Sequence, residues 1–251
     1  MRKLLSSIYG LIPLKIKAKY YLPVKDLFFA DGAEHLYHIV RIVNKFKINT
    51  HDKLFIDVGA ADGSVALFFQ KYLQPQQTLA FEPVPYIYPK LFYDKNPNVQ
   101  LFQFALSNTK DTQSIYITSN AYSSSLLKPE NNDEFKNQKT QIIETVLLDD
   151  FLKEKNLYQD ILLLKIDVQG NELNLLKGAI QTLEKIHIVL IEQNNHHIYQ
   201  NASKYYEVDE FLRQNGFVLI NMIATYKKMG IIAREWDAIY LNKKFYEHWL
   251  K

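Results

Sequence analysis

Cysteine is absent from this chain. Its absence removes disulfides, thiol nucleophiles and zinc–thiolate sites together, and it fits a reducing compartment, which points to a cytoplasmic protein. No apolar run approaches the ~20 residues that a membrane span needs, and no internal repeat is found. Net positive charge is also confined to one end. Residues 1–25 hold Arg2, Lys3, Lys15, Lys17, Lys19 and Lys25 with no acid, so they carry +6 and the rest carries −3 of the overall +3. A mildly acidic body is a poor nucleic-acid binder, because phosphate contacts need clustered Lys and Arg.

With 251 residues the chain can bury one sizeable core. The expected organisation is a basic, helical appendage over residues 1–48 and one domain over 49–251. Arg2 and Lys3 precede an apolar stretch at 4–14, which looks like the start of a secretion signal. Ser6, Ser7, Gly10 and Pro13 dilute that stretch, however, and lysines follow where small residues should mark cleavage. Two readings remain: a basic helix packed on the domain edge, or a peripheral segment touching the anionic inner face of a membrane or a membrane-bound partner such as a glycosyltransferase.

Periodicity then alternates. A helix is expected over 33–45, with Leu36, Ile39, Val40 and Val43 on one face. Strands are expected over 53–58, 78–82, 99–105, 161–167 and 188–192, with helices over 64–73, 85–93 and 172–183 between them. Strands alternating with helices argue for a parallel sheet covered on both faces. After a helix over 206–214, ended by Asn215 and Gly216, two strands at 217–222 and 236–241 follow with no helix between them. They should pair antiparallel. This pattern describes the Rossmann-like, seven-stranded mixed α/β sheet of class I methyltransferases, helices on both faces and the last two strands an antiparallel pair. A short strand at 113–118 and a polar stretch at 119–140 interrupt the alternation, and the latter is expected to form a lid or substrate loop. Asp149 is expected to cap a helix starting at Asp150.

Four motifs carry chemistry. In the first, an apolar run ends at Asp57 and enters a turn through Gly59, Ala60, Ala61, Asp62 and Gly63 before Ser64 opens a helix. Glycine permits the sharp turn and a close ligand approach, and the helix start offers free N–H groups. The spacing is G-x-x-x-G rather than the G-x-G-x-x-G of dinucleotide folds. Asp57 suits an ammonium group and would repel a pyrophosphate. The second is Glu82 with Pro83: an acid ending the second strand can accept hydrogen bonds from both ribose hydroxyls, and the rigid turn suits a wall for adenine. Together the two motifs describe a site for S-adenosylmethionine. The third places Asp167 at the end of the fourth core strand, facing the same crevice. Glu172, in the first turn of the next helix, reads as a dipole-favourable acid. The fourth runs from Glu192 to His196 and His197. Adjacent histidines in a polar loop are usually exposed side chains, so no metal is expected.

These segments resemble the FkbM-type methyltransferase family from about Asp57 to Glu192. The resemblance rests on FIDVGAADG at 55–63, FEPVP at 81–85, FALSN at 104–108, SSSLL at 123–127, LLDDFL at 147–152, LKIDVQGNE at 164–172 and LKGA at 176–179. It implies S-adenosylmethionine-dependent O-methylation of sugar hydroxyls in glycans or of natural products, with Asp57, Gly59 and Glu82 on the cofactor and the Ala105 turn near adenine. Two departures stand out. Ala61 replaces the asparagine of the family turn. Gln169 and Asn171 replace a glutamate and a histidine, so neither position offers an acid or imidazole.

A hydroxyl acceptor needs help losing its proton. Asp167 is the first candidate base, Glu192 the second and His196 the third. Ser124 and Ser125 are candidates for hydrogen bonds to a polyhydroxylated acceptor, and Tyr122 for stacking on a sugar ring or anchoring its loop. Three alternatives stand beside this reading: an NAD-linked oxidoreductase, a non-catalytic glycan-binding or scaffold module, and a metal-assisted transferase.

Overall fold

The computed structural model describes residues 34–84, 96–118, 123–130, 139–195, 198–228 and 232–247. The basic residues 1–25, the helix expected over 85–93, Tyr122 and His196 lie outside them. In chain order the elements are α1 (Glu34–Lys45), β1 (Leu54–Val58), α2 (Ser64–Tyr72), β2 (Gln77–Phe81), β3 (Val99–Phe102), β4 (Ala105–Leu106), β5 (Asp111–Ile117), β6 (Lys139–Val146), α3 (Leu148–Glu154), β7 (Ile161–Ile166), α4 (Glu172–Lys177), α5 (Ile180–Leu183), β8 (Ile186–Asn194), α6 (Tyr205–Gln214), β9 (Phe217–Lys228), β10 (Ile232–Asn242) and α7 (Lys243–Tyr246).

Seven strands form the main sheet in the order β3-β2-β1-β7-β8-β10-β9. The first five are parallel, while β10 runs antiparallel to both β8 and β9. Alternation along each strand assigns its side chains to two cores. Leu54, Ile56 and Val58 face a cluster with Phe151, Leu175, Leu176 and Leu212 from α3, α4 and α6. Phe55 faces the opposite cluster, with Ile39, Val40 and Val43 of α1 and Phe69 of α2. Helix α1 is thus part of the domain's own second core, so residues 34–45 are not an appendage. No helix among the described residues is long and apolar enough to cross a membrane.

The sheet is not level along its carboxyl edge. β7 pairs with β8 only as far as Ile166 opposite Ile191. β8 continues through Glu192 to Asn194 beside β10, and β10 pairs with β9 still further out. Three more residues of strand add about 10 Å of height on that side.

Three local expectations give way. The strand expected over 99–105 splits, because Ala105–Leu106 leaves the main sheet to join β6 and β5 in a second, three-stranded sheet. The helix expected over 172–183 also breaks. Gly178 lies so close to the Ser107 carbonyl that an added Cβ would stand 2.1 Å from its oxygen, and α5 restarts beyond it. Asp149 does not cap its own helix. α3 begins at Leu148, whose side chain is fully buried, with Leu147 as the capping residue. The Asp149 carboxylate instead caps α5 from across the fold, accepting the N–H groups of Gln181 (2.9 Å) and Thr182 (2.8 Å) and the Thr182 hydroxyl (2.6 Å).

Replacing Asp149 with Ala is expected to lower unfolding stability by about 1–2 kcal/mol, the cost of a lost helix cap, measured by urea denaturation. An unchanged urea midpoint would show that this cross-helix cap contributes nothing.

Candidate functional site

The chain builds β1, β2 and β3 outward in one direction, then returns to place β7 and β8 on the other side of β1. At such a reversal the connections leave in opposite directions and a crevice opens beyond the strand ends. Gly59 follows β1 and Asp167 follows β7, and the Asp167 N–H donates to the Val58 carbonyl at 3.0 Å. The two segments nearly touch: a Cβ on Gly59, whose φ is +74°, would lie 1.8 Å from the Asp167 carbonyl oxygen.

Beneath this contact lies Lys165, in register with Asp57 across the strand pair. Its ammonium donates to the Gly59 carbonyl (2.9 Å) and stands 3.4 Å from both the Asp57 and Asp167 carboxylates. Asp57 has no exposed surface. Its cation is Lys165 rather than a ligand ammonium group. Burial pushes the Asp57 carboxyl up to about 6, against the pull of Lys165. Lys165 itself is held fully protonated, because the charges of Asp167 and Asp57 outweigh the cost of its burial.

The glycine turn wraps toward Glu82. Ala61 adopts a φ of +46°, a region where asparagine is favoured over alanine. This orients its N–H onto the Glu82 carboxylate at 3.0 Å, and the other carboxylate oxygen accepts the Val84 N–H at 3.0 Å. Burial raises the Glu82 carboxyl above its ordinary range despite these donors. Ala60 is buried in the second core, and the Asp62 carboxylate accepts the Ser64 N–H at 3.0 Å, facing the start of α2 rather than the crevice.

A cavity occupies the crevice. Gly59, Ala61, Glu82, Pro83, Ala105 and Asp167 line it. Asp57, Ala60, Asp62, Gly63 and Ser64 do not. Phe104, Ile115 and Leu126 supply an apolar wall. A buried acceptor carboxylate, an apolar wall and a glycine turn fit a nucleoside with a free ribose diol.

Residues 123–130, within the expected lid, strap the cavity. Main-chain hydrogen bonds tie Ser125 to Tyr116 in both directions, and Glu130 and Gln200 to Ile198 and Lys128. Ser124 and Ser125 line the cavity. The Ser125 hydroxyl is already committed, donating to the Gln169 carbonyl (2.6 Å) and accepting the Leu127 N–H (3.0 Å). Gln169 is the hub. Its amide nitrogen donates to Asp167 (2.9 Å) and to Glu192 (2.8 Å), while its amide oxygen accepts the Tyr199 hydroxyl (3.0 Å). Its φ of +55° is a strained value for a non-glycine residue.

These neighbours set the two carboxyls apart. Burial would raise Asp167, but Lys165 and the donors Gln169 and Glu192 together outweigh it and hold it below the ordinary range. Glu192 is pushed well above its usual value by burial and by the charge of Asp167. Among the described residues no group of His, Asp and Glu is arranged to hold a metal ion.

Sequence reasoning passed over Lys165 and treated Gln169 as a loss. A lysine inside the otherwise apolar run ILLLKI was the available signal, since a strand buried on both faces accepts a cation only beside a carboxylate. Tyr199 carried no such signal.

The Methyltransferase FkbM domain family matches residues 57–219. The 2-O-methyltransferase NoeI of Sinorhizobium fredii is 26% identical over 162 residues, covering 59% of this chain and 66% of that protein, slightly under two thirds of its length. Among solved structures the chain is similar to the N-methyltransferase NodS of Bradyrhizobium japonicum (7% identity, 83% of this chain and 94% of that one, TM-score 0.47). It is also similar to the magnesium protoporphyrin IX methyltransferase of Synechocystis (9% identity, 82% and 79%, TM-score 0.43).

Glu172 yields a pH prediction. Burial pushes its carboxyl from 4.5 to about 7 although it accepts the Gly170 N–H at 2.8 Å. A raised carboxyl stabilises the fold fully below its unfolded value, and that contribution is lost as pH rises through its folded value. The stability of the wild type relative to Glu172→Gln should therefore fall as pH rises from 4.5 to about 7, read as the difference between their urea midpoints. Parallel curves across that window would refute it.

Proposed function

The chain belongs to the FkbM methyltransferase domain family, and from that premise we propose that it transfers the methyl group of S-adenosylmethionine to a hydroxyl oxygen of a glycan or related polyhydroxylated metabolite. The observation that carries this reading is the Glu82 carboxylate, fixed by two backbone N–H groups in the wall of the cavity that Asp167 also lines. The printed activity of the 26%-identical relative, a 2-O-methyltransferase, supports oxygen as the acceptor atom.

Glu82 would hold the ribose diol, with Pro83 and the Ala105 turn beside the base. S-adenosylmethionine supplies an electrophilic methyl on a sulfonium centre, so transfer to a hydroxyl releases a neutral thioether and one proton. The protein's contribution is alignment and proton handling. Asp167, ionised through Lys165, accepts the hydrogen bond of the incoming hydroxyl and turns a lone pair of that oxygen toward the methyl. It then takes the proton as the new C–O bond forms. Gln169 holds the Asp167 carboxylate in place through its other oxygen. Glu192, its carboxyl pushed well above the usual range by burial and by Asp167, holds its proton more tightly than Asp167 does.

The two carboxyls are distinguishable. Asp167→Asn is expected to lower kcat by about a hundredfold or more while S-adenosylmethionine affinity, measured by calorimetry, stays near wild type. Glu192→Gln should retain most activity at neutral pH; a larger loss there than in Asp167→Asn would reverse the assignment. Glu82→Gln is expected to weaken S-adenosylmethionine binding by about tenfold, a loss of about 1.4 kcal/mol, and unchanged binding would remove Glu82 from the ribose.

A further inference from the structure

We propose that the cleft beside Tyr205 and Tyr206 is a second acceptor subsite, taking a neighbouring sugar ring of an oligosaccharide whose reacting unit lies at Asp167. The inference rests on the methyl-transfer reading above and adds the class of acceptor.

Sheet order sets the direction of approach. The ribose acid Glu82 follows β2 and the acceptor acid Asp167 follows β7, so an acceptor reaching Asp167 arrives from the β8 side. There β8 outruns β7, and its last residue, Asn194, faces the start of α6 across an open cleft. The cleft is lined by Asn194, Asn195, Ser203, Lys204, Tyr205 and Tyr206. It shares a wall with the cofactor cavity. Ser203 donates to the Gly170 carbonyl at 3.0 Å and accepts the Leu173 N–H at 3.0 Å, while Gln169 and Asn171, on either side of Gly170, line the cavity.

The chemistry of the cleft matches a sugar ring, which has an apolar C–H face and a rim of hydroxyls. Tyr205 and Tyr206 leave 41% and 57% of their surface in solvent, so their rings are open to a ligand. The rings are set in advance. Tyr205 packs edge-on against Tyr206 (centroids 5.6 Å) and against Trp236 (5.5 Å). Trp236 is itself fixed by donating its indole N–H to Gln193 of β8 at 3.0 Å. Rigid aromatic surfaces bind with little entropic loss. The two asparagine amides provide paired donors and acceptors for hydroxyls. Among the described residues Lys204 is the one charged group in the lining, so neutral and uronate-bearing sugars are both accommodated and cationic ligands are not.

The test uses the full chain and labelled linear oligosaccharides of one to four units, neutral and uronate-containing, with affinity followed by fluorescence polarisation and S-adenosylmethionine binding followed by calorimetry. For wild type, affinity should rise about fivefold or more from one sugar unit to two. Tyr206→Ala should remove that gain and Tyr206→Phe should keep it, since a single exposed ring is altered; S-adenosylmethionine affinity should be the same in all three. A length-dependent gain that survives Tyr206→Ala overturns the subsite, as does its absence in wild type. So does a change in self-association on Tyr206→Ala with no change in sugar binding, which marks a protein interface instead. Failure of wild type to bind S-adenosylmethionine overturns the methyl-transfer reading itself, and the subsite with it, whereas cofactor binding without the length effect overturns the subsite alone.

Discussion

The Lys165 ammonium sits where β1 and β7 part company, and three acceptors converge on it: the Gly59 carbonyl and the carboxylates of Asp57 and Asp167. The ammonium donates hydrogen bonds to Gly59 and Asp167 and stands at ion-pair distance from Asp57. Removing one member of such a buried group leaves an uncompensated charge, at a cost of about 3–5 kcal/mol. The dependence runs outward from there. With Lys165 in place the Gly59 carbonyl is fixed, the turn to Ala61 follows, and Ala61 in turn orients Glu82. On the other strand the same cation holds the Asp167 carboxyl below its ordinary range, and the charge of Asp167 helps to raise Glu192.

Gln169 extends that order to the strap over the cavity. One amide spans the ends of β7 and β8, and the carbonyl of the same residue receives the Ser125 hydroxyl. A glutamate in its place would bring a third carboxylate against Asp167 and Glu192. The amide removes that repulsion and supplies both hydrogens. The loss of an acid at this position is thus what lets two acids stand side by side.

The sequence was informative wherever one periodicity had one physical cause. Buried parallel strands read as unbroken apolar runs, and Gly59 with Gly63 marked a turn that the positive φ angles require. The final two strands lacked a helix between them and so had to pair with each other. Legibility failed where the cause lay far away in the chain. β6 buries only two of its eight side chains, Ile143 and Thr145, and therefore carries almost no alternation. The break at Gly178 is imposed by a carbonyl some seventy positions earlier in the chain. Asp149 looked like a cap for the residues that follow it, yet its partners lie more than thirty positions on. Asp57 was expected at the ligand because nothing in its own segment discloses that a lysine arrives from β7 to claim it.

The uneven carboxyl edge of the sheet has a consequence for how the protein can diversify. Glu82 and the glycine turn sit on the low side, between β2 and β7, where a backbone approach as tight as that of Gly59 to Asp167 leaves no room for change. The high side, formed by the projecting ends of β8, β10 and β9, stands on the same rigid base but lines none of the cavity beside Glu82. Its rim can therefore change without disturbing the turn that holds Glu82. One sheet thereby holds a rigid half and an adaptable one, and drift in the second need not blunt the first.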